Sequence, residues 1–463
     1  MTIEDSNTIN NKPNGGKSTK KNFSVISITF ILIFTSYNAA TNLQSSTNTD
    51  GNVGLYSLAI ISGCSVFSCL FLTNPIIFLA GYKWTIFIAQ IGFLLFVAAN
   101  IYPKVWLMYP TSAVCGIFQA AFWTAQSAYI ADLGKTDKIG EEEAKENKYF
   151  GIFYATFQTS EVWGDLITYL VLRNGRNDSI QKDINLCGAN YLESEEQSLS
   201  DGSNEISLHT ASILYGIFVG LIVISLFLVA LFLDQKRHLK QSESKGFISD
   251  SFKYTTSTLK QLKKPKQILL LPLAFWIGVS EAFMWSTFIT GFITCSVGIQ
   301  YIGLVMMVYG IAASIFSIIV GYVGKFHRRS LIFVIASIVC YGSLITMLLW
   351  KPYSSQMYVL YILAILQGLA SAIWDPVVSA LYETVFPKEE EAAFSSMWLG
   401  ENTGHLVVYL YAGSLRARTS IILQIIYLTI ALIGYFILDI KQTYQQKKLP
   451  PVALANVAVI ETQ

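Results

Sequence analysis

The sequence predicts an all-α membrane protein with twelve transmembrane helices in two pseudo-symmetric six-helix halves. The evidence is its hydropathy, the length of its apolar blocks and a repeat between the halves. Of 463 residues, 53% are hydrophobic and 13% are charged, and the mean hydropathy is +0.47. Soluble proteins carry about 25% charged residues. The apolar blocks are about 20 residues long, enough helix to cross a hydrocarbon core of about 30 Å.

The apolar blocks also predict how the chain is divided. We expect a tail at 1–22, an N-terminal half at 23–233, a linker at 234–266, a C-terminal half at 267–440 and a second tail at 441–463. Both tails and the linker are predicted to be cytosolic, and the first tail has the polar composition typical of disorder. The predicted spans are 24–43, 53–73, 84–101, 105–130, 149–172, 210–233, 267–293, 299–323, 330–350, 357–384, 392–413 and 419–439.

Basic residues predict the orientation in the membrane. With both termini in the cytosol, 25 Lys and Arg lie inside and 7 outside, which accounts for all 32. Cytosolic loops of membrane proteins are enriched in Lys and Arg, so this orientation is favoured over its reverse. The net charge of +2 gives no indication of a nucleic-acid-binding surface, and we expect no nucleic-acid partner. The sequence does not distinguish the plasma membrane from an internal membrane.

Two features are expected on the outer side. Cys187 and Cys295 are the two cysteines placed there, and we take them as a candidate disulfide, with two free thiols as the alternative. Asn177 opens an Asn-Asp-Ser sequon a few residues past the fifth span and is a candidate glycosylation site.

A repeat connects the two halves. The segment EVWGDLITYL at 161–170, in the fifth span, matches ENTGHLVVYL at 401–410, in the eleventh. Both contain Glu, Gly, Leu, Tyr and Leu at the same spacing, and both occupy the same ordinal position in their half. The match favours a duplicated six-helix unit, an arrangement common among transporters.

Ionisable residues within the spans are the candidate functional groups. A carboxylate near the bilayer centre costs several kcal/mol, so such residues are expected to face the bundle interior. No Lys or Arg lies in the central part of a span, and His405 is the candidate counter-ion, one helical turn from Glu401. The set is Glu161, Asp165, Glu281, Asp375, Glu401 and His405.

Two polar stripes are expected to meet these groups. Gln158, Glu161, Asp165 and Thr168 follow a spacing of i, i+3, i+7 and i+10, which is one face of one helix. Asn38 and Asn42 belong to a similar stripe on the first span. One interpretation is contact with an ion or ligand, including protons taken up near neutral pH. The other is hydrogen bonding across the seam between the halves.

The loop GYVGKFHRRS at 321–330 resembles the cytosolic gating loop of the major facilitator superfamily. Its candidate residues are Gly321, Lys325, Arg328 and Arg329, and Lys325 stands where the superfamily has Asp. The resemblance implies the fold of that superfamily, in which spans 1, 4, 7 and 10 line a central cavity while spans 5 and 11 lie at the seam.

Four segments resemble a narrower family. They are NLQSS at 42–46, WTAQSAY at 123–129, NKYFGIFYATFQTSEVWGDLI at 147–167, and the LPL and TCSVGIQYIG segments within 271–303. Together they resemble the uncoordinated-93 family, the ion channel regulatory protein branch of the superfamily. Its members act as accessory proteins, regulating a potassium channel or escorting receptors.

The chain departs from the pattern of that family at several acids. Glu161 and Asp165 stand where the family has a neutral residue and Asn. A Gly-x-Glu-Gln pattern is replaced by GVSE at 278–281, which moves the carboxylate by one position. A Trp-x-Thr-Gln pattern is replaced by Trp374-Asp375-Pro376, whereas Glu401 fits the family.

The resemblance favours a regulator or trafficking partner of a membrane channel, such as a potassium channel, or of a receptor. The intramembrane acids favour an alternative, a proton- or cation-coupled secondary transporter of a small cationic solute working by alternating access. The chain lacks a Gly-x-x-x-x-Gly-Lys-Ser/Thr loop, a His-Glu-x-x-His motif and a Cys or His cluster with zinc spacing. We therefore expect no enzyme activity, no cofactor and no metal.

Overall fold

A computed structural model describes residues 15–47, 52–134, 142–173, 186–193, 207–235, 259–323, 329–386 and 390–448. Within these ranges the chain forms twelve long helices and no β-strand. They are α1 (Gly15–Thr47), α2 (Val53–Phe71), α3 (Thr73–Ala99), α4 (Val105–Gly134), α5 (Glu142–Leu172), α6 (Leu208–Phe232), α7 (Pro265–Phe283, continuing as a π-helix over Met284–Thr294 and as an α-helical turn over Cys295–Val297), α8 (Ile302–Val323), α9 (Arg329–Leu349), α10 (Met357–Val385), α11 (Glu390–Ala412) and α12 (Ala417–Lys448).

Ten of the described helices are long and apolar enough to cross a membrane. The other two are α5 and α11, the helices that carry the polar repeat, and charged residues occupy their first turns. The predicted all-helical membrane fold is confirmed, and the predicted count of twelve spans is confirmed for ten helices.

The predicted boundaries of both tails differ from the structure. The first tail was expected to reach residue 22, but α1 begins at Gly15. Its polar first turns are held because Lys21 Nζ and Asn22 Nδ2 donate to the Asp234 carboxylate at 2.7 and 2.9 Å. The hydrogen bond from Lys21 holds the pKa of Asp234 below its usual value. At the other end, α12 continues past residue 440 to Lys448, in a segment rich in the helix formers Gln and Lys.

The helices pack as two related halves. In the N-terminal half α5 lies against α1, and it also packs against α8 of the other half. In the C-terminal half α11 lies against α7, and it also packs against α2. Each helix of the repeat therefore contacts the first helix of its own half and the second helix of the opposite half. This correspondence confirms the pseudo-symmetry expected from the sequence.

Gly164 and Gly404, which occupy equivalent positions of the repeat, let α5 and α11 pack closely against their neighbours. A Cβ added at Gly164 would collide with the carbonyl oxygen of Thr35 on α1. A Cβ added at Gly404 would collide with the carbonyl oxygen of Phe275 on α7. The repeat therefore encodes the same backbone-to-backbone approach in each half, as small residues do at helix interfaces in membranes.

A short segment fastens the C-terminal half on the side predicted to be outer. Cys187 and Cys295 form a disulfide, with their Cα atoms 5.6 Å apart. The backbone N–H of Ala417, where α12 begins, donates to the carbonyl of Tyr191 at 2.9 Å. Residues 186–193, which precede α6 of the N-terminal half, are thus attached to α7 and α12 of the C-terminal half.

Alanine at either matched glycine is expected to destabilise the bundle. Gly164→Ala and Gly404→Ala should each cost about 1–3 kcal/mol, because an extra methyl group in a closed contact forces the helices apart. Thermal unfolding of the purified protein in detergent measures the change. Gly342 on α9 is the control, since a Cβ there meets nothing within 4 Å. Gly342→Ala should be neutral or stabilising; an equal loss at all three positions would contradict the assignment.

Candidate functional site

The acids of α5 are buried at the seam. Asp165 is 0% exposed and Glu161 is 6% exposed, and Thr168 is also buried, whereas Gln158 is only partly buried. The Thr168 hydroxyl donates to the carbonyl of Gly164 at 3.0 Å, so it is satisfied within its own helix. Within the predicted polar stripe, the two buried carboxylates are therefore the side chains that can still bind a proton or an ion.

The polar stripe of α1 meets these carboxylates. Asn42 Nδ2 donates to Asp165 Oδ1 at 3.1 Å, and Asn38 lies close enough to interact with Glu161. The second oxygens, Asp165 Oδ2 and Glu161 Oε2, are buried with no hydrogen-bond partner among the described residues. Each acid is thus only half satisfied by protein groups.

In the C-terminal half, His405 pairs with an acid of α7. The sequence offered His405 as the counter-ion of the intramembrane acids, with Glu401 one turn away on the same helix. In the structure, His405 Nε2 lies 3.1 Å from Glu281 Oε2 on α7. The close approach of α7 and α11 explains this pairing, because it brings the facing side chain of α7 to the imidazole.

The two halves thus make the same kind of contact with different chemistry. Asp165 on α5 reaches Asn42 on α1, and His405 on α11 reaches Glu281 on α7. Asp165 and His405 occupy the same position of the repeat. An acid–amide pair in one half therefore corresponds to an imidazole–acid pair in the other.

A small cavity lies beside Glu281. It is about 10 Å³ in volume, which is room for about one water molecule. Ser371 Oγ donates to Asp375 Oδ2 at 3.4 Å, so part of the polar lining is already paired. The lining residues are Ile277, Ser280, Glu281, Met284, Tyr309, Gln367, Ser371, Trp374 and Asp375.

Carboxylates from both halves gather around Glu281. Glu161, Asp375 and Glu401 each interact electrostatically with it, and Asp165 interacts with Glu161. The basic group in contact with this set is His405. Acids gathered in one place between membrane helices, with an imidazole beside them, form an arrangement that can hold protons or a cation.

Sequence reasoning missed two neighbours of this cluster. Tyr309 on α8 lines the cavity, and no motif singled it out because α8 lies outside the repeat. Trp285 stacks on the His405 ring, with ring centres 5.6 Å apart and planes inclined by 21°. Trp285 follows Glu281 by four positions on the same helix, so the two side chains lie on one face. This spacing could have identified Trp285 as a neighbour of His405, the partner of Glu281.

Several sequence-predicted residues cannot be placed with this cluster. Asn177, Lys325 and Arg328 lie outside the described residues. Gly321 is near the end of α8 and Arg329 begins α9, but their side chains are not described. The glycosylation site and the gating loop therefore stay predictions.

Similarity to solved structures agrees with this architecture. The inward-open xylose transporter XylE from E. coli matches with a TM-score of 0.60 at 11% identity, over 89% of this chain and 95% of that one. At this identity the likeness shows the fold alone. With the two-half helical packing, it defines the class: a multipass membrane protein of the major facilitator superfamily fold.

Sequence comparison gives the family. Residues 45–437 match the family described as ion channel regulatory protein UNC-93. Protein unc-93 homolog A of Xenopus laevis is 30% identical over 438 residues, covering 92% of this chain and 95% of that protein. The putative potassium channel regulatory protein unc-93 of Caenorhabditis elegans is 25% identical over 437 residues, covering 90% and 60%. The chain belongs to the UNC-93 family.

The bond between Asn42 and Asp165 is expected to couple α1 and α5 energetically. Asn42→Ala should destabilise the protein by about 1–3 kcal/mol, because it removes the donor of a buried carboxylate. In an Asp165→Ala background, the same substitution should cost less. The difference, a coupling of about 0.5–3 kcal/mol, is obtained from unfolding of the four proteins in detergent. Equal costs in both backgrounds would show that the pair contributes no stability.

Proposed function

We propose that this protein is a regulatory or trafficking partner of a membrane channel, with potassium channels as the first partners to test. The observation that carries the proposal is family membership over residues 45–437. The Caenorhabditis elegans relative, named a putative potassium channel regulatory protein, aligns over 90% of this chain. No catalytic step is part of this role.

The surface of α6 offers a place for a partner helix. Gly216 and Gly220 lie one turn apart, and a Cβ added at either meets nothing within 4 Å. Ile213 and Ile224 are exposed on the same side of the helix. Small residues spaced in this way let two helices approach closely within lipid. The face supports a partner that itself crosses the membrane.

The proposed orientation has both termini in the cytosol. The distribution of 25 basic residues to 7 supports it. In this orientation the linker and both tails lie on the cytosolic side, while the Cys187–Cys295 disulfide faces the oxidising side, where such bonds persist.

Coexpression with potassium channels tests the regulatory role. Each channel in a panel is expressed with and without this protein, and its current and surface density are recorded. We expect at least one channel to change severalfold and to co-purify at a fixed ratio. Unchanged current and surface density across the panel would contradict regulation of potassium channels.

The same assay tests the α6 face. Gly216→Ile combined with Gly220→Ile should weaken co-purification by about tenfold, because the larger side chains prevent close helix approach. Gly342→Ile on α9 is the matched control, since this glycine is equally open. Loss of binding with the control alone would place the partner on α9.

A second function is favoured by the buried acids. Glu161 from one half and Asp375 and Glu401 from the other all interact with Glu281. Titratable acids inside transporter bundles mark proton and ion pathways. A carrier coupled to protons or another small cation would load its ion here, and rocking of the two halves would expose it to either side.

Reconstitution alone in liposomes separates the carrier from the regulator. A proton gradient is imposed and the internal pH is followed with a trapped dye. A carrier should move protons, and Glu161→Gln or Glu281→Gln should reduce the flux at least tenfold. Asp439→Asn is the control, because that carboxylate bonds Ser330 away from the cluster. No flux above empty liposomes would contradict a proton carrier.

A further inference from the structure

Three side chains from α7 and α11 converge on one point. Glu281, Glu401 and His405 each offer one ligand atom, and these atoms lie within 4.8 Å of one another. The closest pair, His405 Nε2 and Glu281 Oε2, is 3.1 Å apart. Two ligands of one tetrahedral metal ion, each about 2.0–2.2 Å from it, lie about 3.3–3.6 Å apart, so the pair needs to separate by only a few tenths of an ångström to admit the ion.

The backbone holds these three groups in place. Gly278 on α7 lies directly against the carbonyl of Glu401, where no Cβ would fit. Glu401 and His405 are four residues apart on one helix, so both side chains project from the same face. Trp285 stacks on the imidazole of His405 and fixes the plane of the ring. The close packing of α7 against α11 therefore holds the three side chains together.

We propose that Glu281, Glu401 and His405 bind one divalent transition-metal ion of the Zn²⁺ class. One imidazole and two carboxylates form a donor set that suits such ions, whereas Mg²⁺ and Ca²⁺ prefer oxygen ligands throughout. Three protein ligands leave a fourth position open. A water molecule is the usual occupant of that fourth position.

A buried carboxylate outside the triad independently points to a cation. Glu161 is 6% exposed, its Oε2 atom has no partner among the described residues, and it lies within electrostatic range of Glu281. Glu281 and Glu401 bring two carboxylates to one imidazole, and Glu161 adds a third negative charge nearby. A divalent cation at the triad compensates this excess where the membrane interior offers no solvent.

The metal site depends on neither function proposed above. A regulator would use the ion to clamp α7 to α11, and a carrier would use it as a fixed charge or as cargo. Failure of the channel or proton-flux experiments therefore leaves the site untouched. Its own test measures binding.

Titration of the purified full-length protein in detergent tests the site. After treatment with chelator, Zn²⁺ is added and heat is recorded. We expect one saturable equivalent and a rise in unfolding temperature, with no comparable rise for Mg²⁺. Glu281→Gln, Glu401→Gln and His405→Asn should each weaken binding at least tenfold. His209→Asn is the matched control, because His209 is an exposed histidine at the start of α6.

A spectroscopic test covers the case in which a ligand variant fails to fold. The protein is loaded with Co²⁺, whose visible absorption reports its ligands, and compared with His405→Cys. Cysteine keeps a metal ligand at this position, so the variant should bind Co²⁺ and add a sulfur-to-cobalt charge-transfer band. Absence of that band, or Zn²⁺ binding unchanged in all three ligand variants, would overturn the proposal.

Discussion

The placement of several carboxylates between membrane helices, with His405 as the imidazole described among them, is the constraint on which the rest of the structure depends. Each ionised acid between helices in a membrane costs several kcal/mol unless it is paired. Asn42 satisfies one oxygen of Asp165, and His405 pairs with Glu281. Glu161 and Asp165 still have an unsatisfied oxygen each. A proton or a cation at the seam would satisfy these two oxygens, whichever function the protein performs.

Close helix contact and the polar cluster are two consequences of one packing mode. Gly164 and Gly404 let α5 and α11 lie directly against backbone carbonyls of α1 and α7. Only at this distance can a short side chain such as Asp165 reach Asn42. A change in the charge of the cluster therefore acts on the packing between helices, and a change in packing alters the pairing of the acids. Such two-way coupling is the physical basis of a switch between bundle states.

The repeat explains why much of the site was predictable. EVWGDLITYL and ENTGHLVVYL occupy matching spans, and their glycines, Gly164 and Gly404, make equivalent contacts in the structure. The identity of the partner of His405 was not predictable in this way. Spacing along one helix places Glu401 one turn from His405, but the bond to Glu281 depends on the relative rotation of α7 and α11, which no local pattern encodes. The π-helix that begins three residues after Glu281 is likewise a tertiary outcome.

The position of one carboxylate on α7 decides which chemistry the C-terminal half supports. Ser280 and Glu281 both line the cavity, but it is Glu281 that reaches His405. Neighbouring residues on a helix project about 100° apart, so an acid at position 280 would point away from the imidazole. The pattern of the family that the sequence resembles has its carboxylate there. Glu281 therefore connects α7 to α11 through an acid–imidazole pair that an acid at position 280 would not form.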